Sequence, residues 1–157
     1  VRHLGLSKVR GRFDGVSAQL TVGDDVASSS VSAEIQMGTV TTGNSDRDAH
    51  LASSDFFNAE TNPTMTFVST GIAGEGEEYT MTGDLTINGI TKQVELDVEF
   101  FGTSVFPVDQ STRAGFSATG TLSRKEFGIA FNVPLGGDTV MIADTVALAL
   151  DVQLSAP

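Results

Sequence analysis

Residues 79 to 101 read YTMTGDLTINGITKQVELDVEFF. Tyr79, Met81, Leu85 and Ile87 alternate with Thr80, Thr82, Asp84, Thr86 and Asn88. Val94, Leu96, Val98 and Phe100 alternate with Gln93, Glu95, Asp97 and Glu99, and Asn88-Gly89-Ile90-Thr91 separates the two runs. Period-2 alternation on both sides of a polar turn predicts a long β-hairpin with one apolar and one wet face. An apolar face on strands this long must be covered. The cover is a second sheet, the same sheet closed on itself, or a ligand.

The rest of the chain repeats the pattern. Gly11 to Val22 is predicted as a strand with a bulge near Gly15, where the alternation slips. Val31, Ala33, Ile35 and Met37 form the apolar side of a second strand, and Pro63 opens a third carrying Met65 and Phe67. A sixth runs from Arg113 to Ser123 with Phe116, Ala118, Gly120 and Leu122 on one face. The last runs from Asp144 to Leu154, with Val146, Leu148, Leu150, Val152 and Leu154 in strict alternation. Pro134 to Asp138 reads as a loop, and Arg124-Lys125-Glu126 as an exposed charged turn. Between 43 and 58 the pattern changes. Asn44 and Ser45 can cap a first turn holding Asp46 and Asp48, so a short helix is expected near 45–55. Strands with turns about every ten residues, and no crossover helix, predict an all-β antiparallel sandwich or barrel. The 157 residues are read as one domain, 1–157.

Composition removes several function classes. The formal charge of −11 argues against nucleic acid and against broad adhesion to anionic lipid. Without cysteine there are no disulfides, thiolate metal sites or cysteine nucleophiles. No apolar run approaches the ~20 residues needed to cross a bilayer, so no stable membrane insertion is expected. No signal peptide is present in this chain. Val1 is not a translational start, which leaves room for a removed leader. The compartment, cytoplasmic or periplasmic/secreted, stays open.

Charge is uneven along the chain: Arg2, Lys8, Arg10 and Arg12 precede the first acid, Asp14. A basic island is usually a solvated edge; its sharper reading is an anion-holding mouth for a polar head group. Asp46, Arg47, Asp48 and His50 form the richest polar cluster. Asp46 and His50, four apart on a helix, share a face and could serve a hydrolase-like or metal site. The plainer reading is acids complementing a helix dipole beside a lone His. The ten Phe residues are individually plain core. Beside Gly83, Gly115, Ala118 and Gly120, they suggest interior volume left unfilled, which attracts an apolar guest.

Three segments carry a family resemblance: TGN-x-x-RD-x-HL-x-S-x-DFF (Thr42 to Phe57), G-x-LTI-x-G-x-T (Gly83 to Thr91) and R-x-x-FG (Arg124 to Gly128). With VRHLGLSKVRGRFDG at the start, they resemble the YceI-like family in order and spacing over nearly the whole chain. The resemblance implies an antiparallel lipocalin-like β-barrel of about eight strands. It also implies that Val1 to Gly5 is the tail of a second strand. The N-terminal hairpin would then be truncated here, leaving an open slot and two unpaired edges.

The resemblance further implies non-catalytic binding, transport or storage of a long-chain amphiphile, a polyisoprenoid lipid or isoprenoid quinone. No enzyme activity, no metal and no cofactor other than the bound isoprenoid-type lipid is expected, and a homodimer is left open. From alternation, the apolar lining is assigned to Phe13, Met65, Phe67, Tyr79, Met81, Leu85, Ile87, Val98, Phe100, Phe116 and Leu148. Lys8, Arg10, Arg12, Asp46 and His50 are the head-group candidates near a mouth. The rival readings are a structural or stress-related interaction module with a core filled by its own side chains, and the site at Asp46/Asp48/His50.

Overall fold

The computed structural model describes residues 1–137 and 139–156; Asp138, in the predicted loop 134–138, and Pro157 lie outside the described residues. Seven strands form one antiparallel sheet. They are β1 (Val16–Thr21), β2 (Ser30–Gln36), β3 (Thr64–Glu75), β4 (Glu78–Ile87), β5 (Ile90–Val105), β6 (Thr112–Ser123) and β7 (Thr145–Ser155). Neighbours in sequence are neighbours in space, and the sheet curls into a half-barrel with β1 and β7 as its edges. Long antiparallel strands twist, and the accumulated twist curls the sheet.

The 79–101 hairpin is β4–β5. Ile87 faces Ile90 across Asn88 and Gly89, whose φ values are 52° and 73°. Two positive φ angles make the turn whose twist matches its strands, and Asn-Gly adopts it with least strain. On the inner face Met81 lies opposite Leu96 and Tyr79 opposite Val98. The same face continues through Phe100 opposite Phe116 and Val98 opposite Ala118. In β3, simple alternation would turn Ile72 away from Met65 and Phe67. A register shift between Ser69 and Gly71 absorbs one residue and sets Ile72 opposite Met81.

Because the strands alternate in direction, their connections alternate between two ends. The end where β2, β4 and β6 finish receives residues 1–15, 37–63, 88–89 and 124–144. Among the described residues the other receives 22–29, 76–77, 106–111 and residue 156. The long connections fold inward as a plug. They include a 3-10 turn at Met37–Thr39, the helix α1 (Ser45–Ala52) and a second 3-10 turn at Arg124–Phe127. Met37, Phe56, Phe127 and Ile129 are buried there against Phe67, Leu85, Ile87 and Leu96 from the strands. Each such burial contributes about 1.5–3 kcal/mol.

Arg124 holds the plug: the predicted charged turn forms with Lys125 and Glu126 exposed, but Arg124 is buried, and that part of the expectation is corrected. The Arg124 side chain is 4 % exposed. Nε donates to the Ala143 carbonyl at 3.1 Å, and one terminal nitrogen to the carbonyls of Ile129 and Phe131, both at 2.8 Å. The other reaches the Ile142 carbonyl at 3.2 Å and Asp144 Oδ1 at 3.3 Å. Lys125 lies 2.7 Å from the second Asp144 oxygen. Gly128, at φ 74°, ends the turn and sends the chain back under the guanidinium.

Three further expectations change. The predicted strand from Gly11 breaks at Asp14-Gly15: Arg12–Phe13 pairs separately with Val40–Thr41. Pro134–Gly136 pairs with Thr139–Val140 instead of looping freely. Two of the small residues thought to leave space are already filled over. The Phe67 ring occupies the position a Cβ on Gly83 would take, and Leu96 Cδ2 lies 2.7 Å from the corresponding position on Gly120. Two substitutions test this packing by urea denaturation. Arg124→Lys keeps the charge but loses the planar fork, and its midpoint is expected to fall by the equivalent of about 2 kcal/mol or more. Gly83→Ala, which drives a methyl into Phe67, is expected to lose about 1–3 kcal/mol.

Candidate functional site

The motif from Thr42 to Phe57 builds one side of the plug. Thr42 is its hub. Its N–H and hydroxyl donate to Asp48 Oδ1 at 2.8 and 2.5 Å. Arg47 Nε donates to the Thr42 hydroxyl oxygen at 2.8 Å, and a terminal nitrogen to the Thr42 carbonyl at 3.2 Å. Asn44 caps α1, its side-chain oxygen accepting from the Arg47 N–H at 2.9 Å. At the other terminus the Ser53 hydroxyl donates to the His50 carbonyl at 2.7 Å. His50 Nε2 lies 2.8 Å from Asp55 Oδ2, and its ring meets Phe56 and Phe131 edge-on at 5.0 Å each.

This arrangement gives Asp48 and His50 partners within the motif. Asp48 is committed to Thr42 and His50 to Asp55, while Asp46 is exposed in the first turn of α1. Among the described residues, no three metal-ligating groups converge. The hydrogen bonds from Thr42 hold the Asp48 carboxyl below its usual range. A lowered folded-state value means that Asp48 stabilises the fold above the ordinary carboxylate range, near pH 4, and loses that contribution as pH falls through the lowered value. Asp48→Asn is expected to lower Tm at neutral pH by on the order of 2 °C. The difference from the parent chain should close by pH 2 in a thermal melt series.

The assigned lining residues divide into two groups. Phe67, Met81, Leu85 and Ile87 are buried in the packed cluster, and Met65, Val98, Leu148 and Phe13 lie partly buried against it. Phe13 is outside the main sheet; its ring meets Phe57 edge-on at 5.5 Å. Tyr79, Phe100 and Phe116 lie towards the end with short connections. Phe100 and Phe116 stack at 5.0 Å, and the Tyr79 hydroxyl donates to the Gly76 carbonyl at 2.8 Å.

Around this second group the inner face is only partly covered. Beyond Met81 the inner-face side chains other than Ala118 are half-buried or exposed, and Leu150, opposite Ala118 on edge strand β7, is 40 % exposed. The helix, both 3-10 turns and the three small two-stranded sheets all belong to connections at the plugged end. The result is an apolar trough, plugged at one end and open at the other. Ile72, Leu150 and Val152 join its wall although the sequence reading did not select them. The bulge hid Ile72, whereas the strict alternation of the last strand already carried the signal for the other two. A depression of ≈ 650 Å³, where the β5–β6 ladder ends, is lined by Lys92, Glu95, Thr121 and Glu126 and by Val94, Leu122 and the assigned Leu148, at the plugged half of the sheet.

The head-group candidates all lie at the plugged end. Lys8 pairs with Arg2 in a short hairpin, and this segment leans on 141–143 through Leu4 N–H to Met141 and Ala143 N–H to Arg2. Arg10 is exposed, and Arg12 lies 2.6 Å from Asp14. Gly11 sits against Thr41 and Thr42, which brings the basic stretch to the same end as Asp46 and His50. Among the described residues Arg113 is the one Lys or Arg at the open end, where Asp24, Asp25, Glu75, Glu77, Glu78, Glu99 and Asp109 gather.

A family model, the YceI-like domain, matches residues 1–154. A UPF0312 protein of Staphylococcus epidermidis is 39% identical over 157 residues, 99% of this chain and 89% of the relative. A second, from Photorhabdus laumondii, is 39% identical over 137 residues, 87% of this chain and 70% of that one. Among solved structures, a Campylobacter jejuni YceI protein superposes with a TM-score of 0.85 at 30% identity, covering 100% of this chain and 90% of that one. Burkholderia cenocepacia BcnA superposes at 0.76 with 25% identity, covering 92% and 86%. The family and these folds fit a lipocalin-like binder of hydrophobic ligands and are not those of a known enzyme family.

Proposed function

This chain belongs to the YceI-like family, and from that premise we propose that it binds a long-chain amphiphile non-covalently, a polyisoprenoid lipid or an isoprenoid quinone, for transport or storage. The observation that carries the reading is the half of the inner face around Tyr79, Phe100, Phe116 and Val152, where these apolar side chains stay only half-buried beyond the plug. A flexible chain laid against these side chains is stabilised by about 0.8 kcal/mol per methylene removed from water. The aromatic pair and Ile72 shape one wall, and the edge strand β7 the other. The plug favours tail-first entry, because the polar head is costly to bury and stays at the open end.

The rival reading, a core filled by the protein's own side chains, draws on Phe67 over Gly83 and Leu96 over Gly120. It accounts for the plugged half of the sheet and leaves the open half without a partner.

Organic extraction of the purified protein followed by mass spectrometry is expected to release a prenyl-chain lipid. With farnesol as a probe, Phe116→Asp is expected to weaken binding at least about tenfold, since the probe must then desolvate a carboxylate. Neutralising Lys8, Arg10 and Arg12 together is expected to leave farnesol and farnesyl phosphate affinities unchanged. Selective loss of the phosphate would restore a basic mouth at the plugged end. Unchanged farnesol binding by Phe116→Asp would remove the trough as the site.

A further inference from the structure

At the open end, Val105 at the end of β5 and Phe106 and Val108 in the β5–β6 connection are exposed, the last to 81 %. Isolated apolar residues on a surface need no explanation, but three within four residues of one hairpin tip do. The polar side chains of this tip, Asp109, Gln110 and Ser111, are bonded within it. The Phe106 N–H donates to the Ser111 carbonyl and the Gln110 N–H to the Phe106 carbonyl, both at 2.9 Å. The Gln110 side-chain amide donates to the Pro107 carbonyl at 2.9 Å. Asp109 Oδ1 accepts from the Ser111 N–H and hydroxyl at 2.9 and 2.6 Å. Arg113 donates to the Ser111 hydroxyl oxygen at 2.8 Å and to Asp109 Oδ2 at 2.9 Å, and its guanidinium lies 4.9 Å from the centre of the Phe106 ring.

Asp109 and Arg113 thus cancel, and the tip carries no net charge in a protein of net charge −11. A loop that presents apolar side chains while pairing its own polar side chains and charges is suited to shallow contact with an apolar phase, where unpaired polar groups are costly. Its position indicates which phase. Val105 continues the inner-face row of Phe100, so tip and trough form one apolar path. Asp24, Asp25, Glu75, Glu77 and Glu78, on the neighbouring connections, repel anionic headgroups.

We infer that the 106–111 tip docks shallowly into a zwitterionic lipid bilayer, from which the trough receives its ligand. This rests on the ligand-binding reading above. The chain contains no Trp, so Val108→Trp supplies a single emission reporter. Its emission is expected to shift to the blue with phosphatidylcholine vesicles, and to shift less when phosphatidylglycerol is mixed in. Leu6→Trp, at the plugged end, is expected not to shift. Val108→Asp is expected to lose flotation with phosphatidylcholine vesicles while still binding farnesol in solution.

Unshifted Val108→Trp emission, or undiminished flotation of Val108→Asp, overturns the inference. A shift that grows with protein concentration in the absence of vesicles overturns it in favour of a second copy of the chain. Stronger binding to the phosphatidylglycerol mixture also overturns it. Farnesol binding without a vesicle shift defeats docking and spares the trough. A vesicle shift without farnesol binding supports docking and defeats the trough.

Discussion

One guanidinium organises the closed half of the molecule. Arg124 gathers four backbone carbonyls and the Asp144 carboxylate from segments that would otherwise be separate loops. Burying an arginine is unfavourable unless its donors are used, and here the hydrogen bonds offset the desolvation. The segments it ties place Phe127 and Ile129 in the core and set Phe131 beside His50. The amino-terminal segment depends on the same region, because Ala143 donates to Arg2 while its own carbonyl accepts from Arg124. Without this clamp the carbonyls that come inward with Phe127 and Ile129 would lose their partner, and the floor of the barrel end would be weakened.

The floor and the strands solve the same problem at different depths. Near the plug, the inner face is completed by the protein's own side chains, with Phe67 over Gly83 and Leu96 against Gly120. Farther along, the strands continue to present apolar residues inward, bulges included, but among the described residues no connection folds over them. The sheet is longer than its plug. That mismatch in length, and not any opening between side chains, makes the trough.

Much of this was legible in the sequence, for identifiable reasons. β4–β5 was readable because strict alternation and an Asn-Gly turn point to one structure. α1 was readable because Asn44 and the two aspartates mark a helix start. Arg124 was not, since an RKE run looks the same whether solvated or clamped; the difference lies in carbonyls supplied up to twenty residues downstream. Ile72 was lost behind a bulge, because one inserted residue inverts the faces that alternation assigns. Gly83 and Gly120 were misread because a sequence states the size of a side chain and not which neighbour fills the space. The open half of the trough, defined by what is missing above it, emerged only when the connections could be sorted by end.

That sorting also separates charge. Counting Arg113 as the exception, eight of the nine Lys and Arg residues lie towards the plug, where they offset Asp14, Asp46, Asp48, Asp55, Glu60, Glu126 and Asp144. Seven carboxylates at the other end face one cation, so the open end is the more negative. The molecule is therefore an electric dipole lying roughly along its barrel axis. Near a negatively charged surface such a dipole feels a torque before it makes any contact, and turns its plugged end inward. Near a neutral surface it tumbles freely and can present its open end. Ionic strength acts on the same balance: at about 0.15 M the Debye length is about 8 Å, shorter than the molecule, so salt damps the turning while leaving short-range apolar contact intact.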